Sequence, residues 1–338
     1  MKSQLIGLAL VLFAAQAAAA PTDGELIAER PCARAAFTYD AYVAGMVSAY
    51  DDEARLAAEV GIHPPPSAGL PGALVSKAEF AAQEARPSAC RQVFYGSDGL
   101  KVAAFIWEPA VIAPGAKLPV IVSLRGGNQD FGKFGPGAQR GMASFVDAGF
   151  VVIGVQYRGV DGGEGREQFG GADVHDVLNA IALARRLPEA DPRNIFLQGA
   201  SRGGMQAMLA LEQGAQVNAA ALVSPMIDVE LEAKERPQMV ANVWSKLIPG
   251  YADHPAEALA ARSGLRIART VDVPPLLLLH GTADWRVNPR NSTGAAEALK
   301  ARGRSYDLRL FKDDVHGVLW NWRERDRLII DWFKRHRR

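Results

Sequence analysis

The chain is poor in cysteine, in histidine and in any excess of charge. Its 338 residues include two cysteines and six histidines, with 38 basic side chains against 37 acidic ones. Near-neutrality argues against nucleic acid or an anionic membrane as a partner, since both are held through clustered cations. Two cysteines without a nearby cluster of histidines argue against a structural zinc site. The N-terminal apolar run, Leu5 to Ala15, is shorter than the ~20 residues a spanning helix needs. Internal repeats and low-complexity tracts are also missing beyond that segment, so neither a solenoid nor a disordered tail is expected.

With Lys2 ahead of it and alanines behind it up to Ala20, the run reads as a secretory signal over residues 1–20. Cleavage is expected just before Ala20, because Pro21 directly after the cut would make a poor substrate for the peptidase. Losing the signal removes Lys2 and no acid, so the 38 basic residues become 37 against 37 acidic. The mature chain is expected to be periplasmic or secreted and not held at the membrane. In such an oxidising compartment Cys32 and Cys90 are expected to form one disulfide.

What the chain does have is apolar content, 49% of its residues, enough to bury a large core. Tyr42, Val43, Met46, Val47, Tyr50 and Leu56 recur at spacings of three and four, which predicts a helix over Phe37 to Val60. Pro64, Pro65, Pro66 and Pro71 make the next stretch a connector. Residues 21–89 therefore read as a helical extension, either a lid or a cover for an exposed face. From residue 90 to 338 the pattern alternates. A hairpin, Arg91 to Tyr95 and Lys101 to Trp107, is followed by unbroken apolar runs at Pro119 to Leu124, Phe150 to Val155, Asn194 to Gln198, Ala219 to Val223, Leu276 to His280 and Tyr306 to Phe311. Helical patterns separate most of these runs. Apolar strands without alternation are buried on both faces, so an α/β architecture is predicted, with a mainly parallel central sheet and helices on both sides. Residues 225–270 are too long for a plain connection and read as a helical insertion.

One motif stands at the junction of a predicted strand and a predicted helix: Gly199-Ala200-Ser201-Arg202-Gly203-Gly204. Gly-x-Ser-x-Gly in that setting is the nucleophile elbow of the α/β-hydrolase fold, with Ser201 at a strained turn over the sheet. A serine hydroxyl needs a histidine to take its proton and a carboxylate to orient that histidine. In this fold they follow in the order acid, then histidine. Asp284 lies on the loop after the strand ending at His280, and His316 lies on the loop after the strand ending at Phe311, so all three reach the carboxyl edge of the sheet. Asp272 precedes its strand, and Asp313 and Asp314 read as turn formers. His280 reads as structural, while His63, His175, His254 and His336 lie on no suitable loop.

Attack on a carbonyl loads charge on its oxygen, which needs donors already in place. The amide of Arg202 is the expected first donor. The second is expected from the loop Arg125-Gly126-Gly127-Asn128, whose glycines allow the backbone to approach a substrate closely. No metal or organic cofactor is required by this chemistry.

These motifs together resemble the catalytic domain of the prolyl oligopeptidase family, from about Arg91 to the C-terminus. The resemblance rests on Ser97-Asp98-Gly99-Leu100, Tyr157-Arg158-Gly159, Gly199 to Gly204, Ser224-Pro225, His280-Gly281-Thr282-Ala283-Asp284 with Val287, and His316-Gly317. It implies a serine peptidase acting on a short peptide or related small molecule through an acyl-enzyme, with Ser201, Asp284 and His316 as nucleophile, acid and base. Two departures stand out. The region before Cys90 is too short and too helical for the family's β-propeller, and Arg125 occupies a position where family members commonly carry tyrosine or histidine, so that either its guanidinium substitutes as the second oxyanion donor, or Gly126 or Gly127 donates through its amide, or the oxyanion site is weak. A carboxylesterase with the same triad, or a binding protein on a hydrolase fold, are the competing expectations.

Overall fold

A computed structural model of the chain describes residues 20–33, 38–59, 61–85, 88–135 and 138–338. The expected signal, apart from Ala20, lies outside the described residues, and no helix among them is long and apolar enough to cross a membrane. Nine strands form one sheet: β1 (Leu26–Pro31), β2 (Ser88–Ser97), β3 (Leu100–Pro109), β4 (Leu118–Leu124), β5 (Val151–Val155), β6 (Ala190–Ala200), β7 (Ala220–Val223), β8 (Leu276–Gly281) and β9 (Tyr306–Phe311), in the spatial order β1-β2-β3-β5-β4-β6-β7-β8-β9. The first three strands pair antiparallel, as β3 does with β5, and every pairing from β5 to β9 is parallel. This is the α/β-hydrolase fold.

The unbroken apolar runs have the cause read from the sequence. Successive side chains of a strand point to opposite faces, and here each face meets its own core. Val120, Val122, Ile153, Leu197, Leu222 and Leu278 join one apolar cluster. Ile121, Val152, Phe196, Ala221, Leu277 and Leu279 join a second cluster, which takes in Ile329, Trp332 and Phe333 of the helix Trp322–Arg335. A polar residue at either set of positions would face packed side chains.

Two sequence expectations need correction in the extension. It is not wholly helical: it opens with β1, which pairs antiparallel with β2 and is exposed along its whole length. The charged Glu29 and Arg30 of this edge strand suit its solvent position and erase the alternation by which strands are recognised. The boundary also lies slightly earlier, since β2 starts at Ser88 rather than after residue 89. The expected helix spans Tyr39–Ala58, capped by the Thr38 side chain accepting from Ala41 N at 3.2 Å. It docks through Tyr50, with Leu70, Leu74 and Val315, and Trp320 Nε1 donates to Tyr50 Oη at 3.1 Å. The extension thus lies on the loop that carries His316. Residues 229–270 between β7 and β8 are a series of short helices, among them Val229–Glu235 and Gly264–Thr270.

Cys32 and Cys90 are joined in a disulfide, Cα to Cα 5.4 Å, closing a sequence separation of 58 between the end of β1 and the start of β2. By restricting the unfolded chain, a loop of that size contributes about 2–4 kcal/mol. Native protein is expected to resist alkylation until reduced, and C32S/C90S is expected to lower the urea unfolding free energy by about that amount. Ready alkylation of the unreduced native protein would contradict the bridge.

Candidate active site

The pairing order explains why one edge of the sheet collects the reactive groups. β6 lies between β4 and β7, with Gly199 opposite both Leu124 and Leu222. The chain leaving β6 therefore meets the chain leaving β4, which continues as Arg125-Gly126-Gly127. Ser201 has φ 55° and ψ −124° and immediately precedes the helix Arg202–Glu212. A non-glycine residue with positive φ is strained, and main-chain bonds on both sides fix it: Ser201 N donates to Val223 O at 2.9 Å, and Gly204 N and Met226 N donate to Ser201 O at 2.9 and 3.0 Å. Two glycines make the turn possible. A Cβ on Gly199 would strike Gly203 O, and one on Gly203 would strike Leu124 O.

Asp284 and His316 come from the loops after β8 and β9. Asp284 is 2% exposed, and its Oδ2 accepts from His316 Nδ1 at 2.8 Å while its Oδ1 accepts from Arg286 N at 2.9 Å and Val287 N at 3.0 Å. Burial opposes its charge, but His316 and His280 outweigh burial and hold the carboxyl well below the usual carboxylate range. His280, which the sequence suggests is merely structural, is also a partner of Asp284. Its Nε2 lies 3.2 Å from Asp284 Oδ2 and 3.0 Å from Val287 O, and its Nδ1 lies 2.7 Å from Ser292 Oγ. A carbonyl only accepts, so Nε2 carries a hydrogen. The loop around His316 is shaped by Asp314, which accepts from Trp320 N and Asn321 N, each at 3.0 Å. Asp272 lies elsewhere, paired with Arg302 at 2.7 Å.

Ser201 and His316 line one cleft of about 310 Å³, together with Gly126, Gly127, Phe131, Arg202, Arg236, Arg286 and, from the extension helix, Glu53. Among the described residues no hydrogen bond joins Ser201 Oγ to His316. Gly126 runs directly beside Ser201: a Cβ there would lie 3.0 Å from Ser201 Cβ and 3.6 Å from its Oγ. Arg202 is the first residue of its helix, so its amide has no acceptor within that helix.

The Arg125 guanidinium, one of three alternatives for the second oxyanion donor, is corrected by the structure. It is 3% exposed and donates to the carbonyls of Gly126, Gln129, Phe131 and Gln156 at 2.7–3.2 Å. It holds the glycine loop from behind and does not line the cleft. The Arg202 side chain also holds this loop: it donates to Gly127 O at 3.0 Å and is paired with Glu167 at 2.8 Å and Asp173 at 2.5 Å, 1% exposed. Tyr157 and Phe169 flank its guanidinium, each ring centre 4.7 Å away. Glu167 also accepts from Gln129 N at 3.0 Å. Sequence reading missed Glu167 and Asp173; their only signal is two acids in a glycine-rich loop far along the chain from the elbow.

Burial raises the Asp173 carboxyl, but Arg202 and the amides of Gly170 and Gly171 outweigh it, so the group is held below its ordinary range. A lowered folded value means that its stabilisation is fully present above the unfolded value of about 3.9 and is lost as pH falls through the folded one. Arg202→Met leaves two buried carboxylates without their cation, and a loss of about 3–5 kcal/mol is expected in urea unfolding. The urea midpoint of the parent protein is expected to fall below about pH 4 more steeply than that of Asp173→Asn.

Residues 138–338 match the prolyl oligopeptidase family, a family of serine peptidases. An uncharacterised peptidase of Bacillus subtilis, YtmA, is 33% identical over 62% of this chain and 78% of its own length. Dipeptidyl-peptidase 5 of Porphyromonas gingivalis is 23% identical over 75% of this chain, which spans only 38% of that protein. A puromycin-hydrolysing peptidase of Mycobacterium tuberculosis superimposes with a TM-score of 0.63 at 26% identity, covering 74% of this chain and 39% of that one. Strand order, elbow and family match agree: the chain is a serine hydrolase and belongs to the prolyl oligopeptidase family.

Proposed function

We propose that the chain hydrolyses a short peptide, or a related small amide or ester, through an acyl-enzyme on Ser201. The observation that carries this reading is the 2.8 Å contact between Asp284 Oδ2 and His316 Nδ1 in the cleft that also exposes Ser201. With Nδ1 engaged, His316 Nε2 is left to take the Ser201 proton as Oγ attacks the carbonyl carbon. The oxygen then carries negative charge, met by the amide of Arg202 and by that of Gly126 or Gly127. His316 gives the proton to the leaving amine or alcohol as the carbonyl re-forms, and water repeats the sequence on the acyl-serine. Because Asp284 stays charged well below the usual carboxylate range, an acid limb in the rate profile does not report its titration.

Family names speak for peptides, and the extension supports a small substrate, since it places a helix and Glu53 at the cleft. The oxidised cysteine pair supports export from the reducing cytoplasm, which we propose as the fate of the mature chain.

A fluorophosphonate probe is expected to label the native chain and not Ser201→Ala. Asp284→Asn is expected to lower kcat by about 10⁴-fold, because the imidazole is then held in the wrong tautomer. A chromogenic panel separates the two bond classes. Turnover of short p-nitrophenyl esters with no cleavage of peptide p-nitroanilides would make the chain a carboxylesterase and sink the peptidase reading.

A further inference from the structure

Beside Arg202, whose charge Glu167 and Asp173 take up, three charged residues line the cleft from different parts of the fold, and their charges do not cancel. Glu53 takes up Arg286, accepting from its Nε at 2.7 and 2.6 Å, and also accepts from Trp285 Nε1 at 2.9 Å. Arg236, at the end of the helix Val229–Glu235, is left over. Its Nη1 donates to Arg286 O at 2.5 Å and its guanidinium lies 5.8 Å from the Trp285 ring centre, but its buried Nε has no hydrogen-bond partner. No carboxylate among the described residues lies within 4.0 Å of its nitrogens.

The acids around it are already engaged. Asp284 serves His316 and His280, and Glu235 accepts from Asn288 Nδ2 at 2.9 Å. Glu232, one turn earlier on the same helix, accepts from Asn288 N at 3.1 Å and Asn291 Nδ2 at 2.7 Å. Burial pushes Glu232 up to about 7, so it compensates a neighbouring cation only in part at neutral pH. A half-buried guanidinium with no carboxylate partner among the described residues, on the wall of the cleft that Ser201 lines, suits an anionic group of a ligand. The apolar part of that wall, Val223, Met226, Phe169 and Met239, suits the stem of a short side chain.

We propose that Arg236 binds a substrate carboxylate, so that the enzyme prefers an acidic residue or acid-bearing group next to the scissile bond. The preference rests on the hydrolytic reading above. The guanidinium fork donates to the carboxylate while the methylene stem packs on Met226 and Met239, and a neutral isostere forfeits a charge-assisted hydrogen bond in a partly desolvated site.

The test uses the full mature chain and two pairs of substrates. In one pair an N-blocked glutamate or glutamine p-nitroanilide carries the charge on the acyl side. In the other an N-blocked Ala–Glu or Ala–Gln amide carries it on the leaving side. At least about a tenfold advantage in kcat/KM of acid over amide is expected in one pair, which also identifies the side. Arg236→Gln is expected to bring that ratio close to one, and Arg236→Lys, which keeps the charge without the fork, to lower it. A ratio near one in both pairs for the parent enzyme overturns the proposal, as does an undiminished ratio in whichever variant folds. Failure of the parent chain to label with fluorophosphonate would instead overturn the hydrolytic reading, so the two failures are distinguishable.

Discussion

Two guanidinium groups buried behind Ser201 set the shape of the candidate active site. Arg125 and Arg202 together donate to the carbonyls of Gly126, Gly127, Gln129, Phe131 and Gln156. A glycine loop of this kind has little conformational preference of its own. With its carbonyls held by buried cations, the loop is fixed beside Ser201, where a Cβ on Gly126 would lie 3.0 Å from Ser201 Cβ. Such cations carry a desolvation cost of several kcal/mol each. Arg202 offsets this with two carboxylates, Glu167 and Asp173, and with two aromatic faces, whereas Arg125 relies on carbonyl dipoles, the Tyr157 ring 5.3 Å away and a distant 3.7 Å contact with Glu167. Burial accordingly pulls Arg125 down from its ordinary range while Arg202 stands above it.

That arrangement couples the two halves of the proposed oxyanion site. The amide of Arg202 is one donor, and its side chain holds the carbonyl of Gly127 in the loop that supplies the other. A disturbance of the guanidinium therefore reaches both donors, as does any movement of Glu167, which ties Gln129 N to the same charge cluster. The strained backbone of Ser201 is tolerable for a related reason. Its N–H and C=O are spent on Val223, Gly204 and Met226, and relaxing φ would give up those bonds in a buried setting.

The sheet, its order of strands and the positions of Ser201, Asp284 and His316 could be read from the sequence because each depends on local pattern. Apolar runs mark buried strands, and the residues that follow them must emerge at one edge. What could not be read depends on contacts between distant segments. Arg125 looked available for substrate because nothing in Arg-Gly-Gly-Asn announces that four carbonyls surround its side chain. His280 looked like a strand residue, and its hydrogen bond to Asp284 appears only once the Asp284 loop folds back on β8. β1 escaped notice because an exposed edge strand has no buried face to impose alternation, and Glu53 gave no sign of reaching the cleft.

The extension draws stability and site geometry together. Its apolar contacts fall on Val315, Leu319 and Trp320, which flank His316, and Arg323 and Trp322 donate to the carbonyls of Leu74 and Ala73 at 3.0 and 2.7 Å. From the same helix Glu53 neutralises Arg286 two residues beyond Asp284. A segment that merely covered an exposed face would need only the apolar contacts. Here it also sets the charge of the cleft, because removing Glu53 would leave two uncompensated arginines in its lining instead of one. The helix is therefore a wall of the active site, and the net positive charge left at Arg236 is a property of the assembled chain that neither the catalytic sheet nor the extension possesses alone.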